Sequence, residues 1–127
     1  KKEKCKMLRK RIKTVFLSVL VVITAMILVA CAPDVSVVKD GSPYDYPDKT
    51  WGEALDDVCK KSNWDSFVSD DDEDVVEFNG VLKENDVKLC IQFKVDDDEF
   101  EIKYMEVDGE SCNELEMSEI VALIFEN

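Results

Sequence analysis

The strongest constraint on folding is an apolar run from Val15 to Ala30, interrupted only by Ser18 and Thr24 and closed by Leu28-Val29-Ala30-Cys31. Ahead of it lie the basic side chains Lys1, Lys2, Lys4, Lys6, Arg9, Lys10, Arg11 and Lys13. A basic stretch, an apolar stretch and a small residue before a cysteine form the pattern of a bacterial lipoprotein signal with its lipobox. The pattern predicts cleavage between Ala30 and Cys31, a diacylglyceryl group on the Cys31 sulfur, and loss of residues 1–30. Two acyl chains, at about 0.8 kcal/mol per buried CH₂, hold a protein on a membrane where one chain lets it exchange. An uncleaved spanning helix is the competing reading, because a span takes roughly 17–25 residues and Val15 to Pro33 just reaches that length. Basic residues stay on the cytoplasmic side. Both readings therefore put the rest of the chain on the extracytoplasmic face of the cell membrane. Cys5 is given no role, and Lys1 in place of Met points to processing or to a longer native N-terminus.

Residues 31–127 leave 97 positions to fold, enough for one small domain. The two parts of the chain have opposite charge. Residues 1–30 sum to +7, whereas residues 31–127 hold eight Lys, no Arg, no His and 28 Asp and Glu, a balance of −20. Phosphate contacts need Lys and Arg, so nucleic acid is excluded as a partner. A basic protein or a divalent cation stays open.

Residues 31–49 contain Pro33, Pro43 and Pro47 with Gly41 and Ser42, the composition of an extended tether reaching roughly 25 Å as a coil. Its Tyr44-Asp45-Tyr46-Pro47 end is expected to pack on the domain through its tyrosines. Residues 50–127 form that domain. Trp51, Ala54, Leu55, Val58 and Cys59 make one apolar stripe, and Thr50 with Glu53 makes a capping box, so a helix is predicted from Thr50 to Lys61. Trp64 and Phe67 follow as aromatic anchors. Strands are predicted over Val75–Leu82, Val87–Val95 and Phe100–Val107. In the second, Val87, Leu89, Ile91, Phe93 and Val95 alternate with polar residues. A last helix runs from about Asn113, capped with Glu116, to Phe125, its stripe being Met117, Ile120, Val121, Ile124 and Phe125. The fold class is α+β in two layers: N-terminal helix, three-stranded antiparallel meander, C-terminal helix.

Several of these residues also form a recognisable set: Tyr46-Pro47, Thr50-x-Gly52-Glu53-Ala54-x-Asp56, Trp64, Phe67, Val75-Val76-Glu77-Phe78-x-Gly80 and Gln92-Phe93-x-Val95-Asp96. The set resembles a module of small lipid- or membrane-anchored envelope proteins of Gram-positive, clostridia-like bacteria, over residues 46–127. The chain departs from that pattern at Leu55, Val58 and Cys59, where the module has bulkier aromatics. The resemblance implies a true domain at the cell envelope, and it carries packing and turn positions without catalytic ones.

The chemistry-bearing residues are few in kind. Without His in the mature part, Ser-His-Asp and Cys-His constellations are absent, and Cys59, Cys90 and Cys112 lack zinc spacing. They are expected to be buried free thiols, and no enzyme is expected. A meander brings Asp70, Asp72 and Asp74 to the sheet end that also carries Asp96 and Asp98. Calcium, which takes 6–8 oxygens, is the one cofactor such a convergence suits, although acidic runs more often serve as solvated turns. Lys88, Gln92, Lys94 and Lys103, with Glu101, mark the free face of the sheet as an interaction face, with Met105 and Val107 joining it where alternation slips. The sequence thus predicts a non-catalytic, lipid-anchored protein-interaction module whose partners are the membrane, through Cys31, and an envelope protein. The alternatives are a calcium- or solute-binding lipoprotein, or a single-pass protein with the same outer domain.

Overall fold

The computed structural model describes residues 32–127. Ala30, Cys31 and the apolar run lie outside the described residues. The elements are α1 (Ser36–Lys39), α2 (Trp51–Val58), β1 (Cys59–Val68), β2 (Asp74–Leu82), β3 (Lys88–Asp96), β4 (Glu99–Val107), β5 (Glu110–Ser111) and α3 (Glu114–Phe125). The strands form one antiparallel sheet in chain order, β1-β2-β3-β4-β5. The architecture is α+β, as the patterning predicts, with five strands where three are expected.

The extra long strand comes out of the predicted first helix. The Thr50 capping box forms: the Glu53 N–H donates to Thr50 Oγ1 at 3.1 Å, and the Thr50 N–H donates to Glu53 Oε1 at 3.0 Å. The helix nonetheless stops at Val58, and Cys59 is already extended at φ −118°, ψ 148°. Beyond Cys59, the polar run Lys60-Lys61-Ser62-Asn63 offers a helix nothing apolar to bury, whereas an extended chain sets Trp64 opposite Phe78, their rings 5.0 Å apart. Tertiary pairing wins over helix continuation.

The second correction concerns parity in β4. Gln92 pairs with Tyr104 but Phe93 pairs with Ile102, leaving Lys103 as the extra residue of a β-bulge. One added residue restores Met105 to the core side, where it is fully buried. Val107, opposite Leu89, is likewise packed against the core. Neither joins the free face.

One sheet face and the helices enclose the core. Val38, Trp51, Ala54, Leu55, Val76, Phe78, Leu89, Ile91, Phe93, Met105 and Ile124 are among its buried members. Trp51 stands edge-on to Phe93 at 4.9 Å and to Phe125 at 4.8 Å, favourable geometry for ring quadrupoles. Its Nε1–H is buried without a hydrogen-bond partner among the described residues. Phe93 also contacts Trp64 and Phe100, so it lies at the centre of the aromatic cluster.

The segment read as a tether is part of this core. Val38 of α1 is fully buried, and the Gly41 carbonyl accepts the Trp51 N–H at 2.8 Å. A Cβ on Gly41 would lie 2.5 Å from Phe100 Cε1, so only glycine permits that approach. Tyr46 stacks on Phe125 at 5.2 Å and donates its hydroxyl to Glu126, which raises the phenol above its usual pKa. Tyr44, by contrast, is 97% exposed.

Candidate functional site

All three helices lie on one side of the sheet, and among the described residues no helix covers the other side. Strand alternation places Gln92, Lys94 and, at its edge, Lys88 on that outer face, and the bulge adds Lys103. The sequence-predicted face therefore exists as a surface. Its groups are largely occupied with one another. Glu73 accepts from Lys103 Nζ at 2.6 Å and pairs with Lys94 Nζ at 3.3 Å; these contacts, Lys103 first, hold its carboxyl below the ordinary range. Gln92 Nε2 donates to Glu77 Oε2 at 2.7 Å, and Asn79 Nδ2 donates to Glu77 Oε1 at 3.0 Å. Tyr104 donates its hydroxyl to Glu106 at 2.8 Å. Phe67 and Val75, cross-strand partners near Glu73, are buried on this face.

The acidic runs do share one sheet end, since Asp74 pairs with Val95 and Asp96 with Glu99. Their carboxylates do not converge there. Among the described residues no group of three or more His, Cys, Asp or Glu side chains could hold a metal ion, Asp70, Asp72, Asp74, Asp96 and Asp98 included. What the aspartates supply is backbone conformation: Asp72, Asp86, Asp97 and Asp108 have φ of 67°, 59°, 57° and 51°, one in each strand-to-strand connection.

Cys59, Cys90 and Cys112 are free thiols. Burial pushes Cys59 up to about 11. Burial, followed by the charges of Glu77 and Glu106, pushes Cys90 up to about 12. At neutral pH both are thiols, and the thiolate is the nucleophile.

The feature that sequence reading missed lies on α3. Its start is as expected: the Glu116 N–H donates to Asn113 Oδ1 and the Asn113 N–H donates to Glu116 Oε1, each at 2.9 Å. Of the predicted stripe, Ile124 and Phe125 are buried, while Met117, Ile120 and Val121 are half-buried against the core. Leu115 and Leu123 lie off that stripe, 69% and 59% exposed. They are two turns apart on one side of the helix. The Leu123 side chain borders a shallow recess of about 160 Å³ floored by Val58 and Leu82 and rimmed by Asp57, Lys83 and Glu84. The signal was present in the sequence as leucines outside the helical stripe.

Among the described residues no helix is long and apolar enough to cross a membrane. No protein-family model, curated protein or solved structure matches this chain.

Proposed function

We propose that this chain is a non-catalytic, lipid-anchored binding module on the extracytoplasmic face of the cell membrane, and that it contacts an envelope protein through α3. The lipobox at Leu28-Val29-Ala30-Cys31 supports the anchor. One observation carries the contact surface: the exposed pair Leu115 and Leu123, of which Leu123 borders the recess floored by Val58 and Leu82. Single exposed leucines are ordinary, but two on one helix side in a domain of charge −20 mark a place where apolar area awaits cover. Glu119, exposed between them, and Glu84 on the recess rim match a partner that offers apolar side chains flanked by Lys or Arg, while Asp57 on that rim is held by Lys49. The sheet face supports this choice by contrast, because its Lys94, Lys103 and Gln92 are engaged with Glu73 and Glu77.

The test uses full-length tagged protein recovered from membranes in mild detergent. The partner should be lost from Leu115→Gln/Leu123→Gln and retained by Lys94→Gln/Lys103→Gln. Loss from the lysine variant alone would move the contact to the sheet. Both leucines are solvent-facing, so their replacement should change stability by only about 0.5 kcal/mol each.

A further inference from the structure

A second surface feature has a different chemistry. Four of the eight lysines in residues 31–127 are ion-paired: Lys49 with Asp57, Lys60 with Asp86, and Lys94 and Lys103 with Glu73. Two of the others, Lys61 and Lys88, have no ion pair among the described residues, and they line one depression of about 360 Å³ on the outer sheet face. Asn63, Asn79, Cys90 and Glu106 line it too. Lys39 and Lys83 likewise have no ion pair among the described residues, and the Lys61 charge reaches Asp86; what sets Lys61 and Lys88 apart is that they line the same depression.

The backbone there is also unusual. The β1–β2 register slips between Lys60 and Asn63, and Lys61 sits at the slip with φ 58°. A left-handed conformation is uncommon outside Gly, Asn and Asp, and bulges re-aim side chains. Glu106 is the one carboxylate among these six, and the Tyr104 hydroxyl holds it. Asn79 donates from its amide to Glu77, while Asn63 is exposed. Val81, paired with Lys88 on the outer face, supplies the depression's apolar side-chain surface. The volume falls at the lower end of small-molecule sites, which run from about 300 to 1,000 Å³.

We propose that this depression binds a small organic carboxylate with an apolar body, about the size of an N-acylated dipeptide. Lys61 and Lys88 take the carboxylate, Asn63 adds an amide donor, and Val81 meets the body. The domain's overall charge opposes an anion at long range. At physiological salt, however, the screening length is about 8 Å, so the charges at the depression decide, with Lys61 and Lys88 set against Glu106 and Glu77. This site is separate from α3, so each can fail without the other.

The experiment titrates the full ¹⁵N-labelled chain in detergent micelles and follows amide shifts. The probes are N-acetyl-alanyl-leucine, its C-terminal amide and inorganic phosphate. The proposal expects saturable shifts at Asn63, Asn79, Lys88 and Cys90 with the acid, and binding about tenfold weaker for the amide and for phosphate. Lys61→Gln/Lys88→Gln, with unchanged circular dichroism, should weaken the acid by about tenfold or more. Equal binding of acid and amide, phosphate as good as the acid, an unaffected double variant, or no saturable shift would each overturn it.

Discussion

Acidic side chains do two jobs in this domain, and the commoner one, carried by aspartate, is conformational. Among the described residues five non-glycine residues have positive φ, and four are Asp. Asp tolerates the left-handed region because its short side chain bonds locally; a β-branched residue there has no such compensation. Asp97→Val should therefore cost about 1–2 kcal/mol, whereas Asp97→Gly should stay within about 0.5 kcal/mol, as read by urea denaturation. Much of the acidic enrichment that suggests a cation site is turn chemistry. Glu73 does the second job, bridging Lys94 and Lys103. Its carboxyl is held below the ordinary range, so the stabilisation is present in full above the ordinary carboxylate value and disappears as pH falls through the lowered one. Wild type should exceed Glu73→Gln in stability at pH 7, and the difference should close in the acid range; a pH-independent difference would deny the ion pairs. The cysteines give a third reading at this scale. With Cys59 near 11 and Cys90 near 12, iodoacetamide at pH 8 should modify half-exposed Cys112 before either, and all three only after unfolding.

At the scale of elements, local signals were legible where they are short-range. Both capping boxes and the alternation of β3 could be read directly, because each depends on residues within a few positions of one another. Thr50→Ala and Asn113→Ala should each cost about 1 kcal/mol, measured by thermal or urea unfolding. Two things were not legible. Strand β1 depends on Trp64 finding Phe78 across the sheet, a contact that its polar first half does not announce. The bulge at Lys103 reverses parity without a residue that marks it, so Met105 and Val107 read as surface while they belong to the core side. The candidate contact surface was the least legible of all. Leu115 and Leu123 already fall outside the predicted stripe, but the spacing alone does not say that they stay 69% and 59% exposed once the domain has packed.

The whole molecule is a small domain held by a single aromatic core, with little reserve. Phe93 touches Trp51, Trp64 and Phe100, and Phe93→Ala should cost about 3–5 kcal/mol, a large part of a typical stability of 5–15 kcal/mol. Because Val38 belongs to that core and Gly41 lies close against Phe100, the link between Cys31 and the folded part is short. From Cys31 to Val35 four residues span at most about 14 Å, so an anchored domain stands against the membrane surface instead of on a long stalk. Cys31→Ser should give a protein that keeps residues 1–30 and lacks the diacylglyceryl mass; unchanged processing and mass would contradict lipidation. The central claim is that α3 is the contact surface, and site-specific photo-cross-linking in intact membranes addresses it most directly. A photoreactive residue at Leu115 or Leu123 should yield one discrete adduct, and the same residue at Glu101 on the sheet face should yield none. Adducts from Glu101 alone, or none from either leucine, would contradict the account.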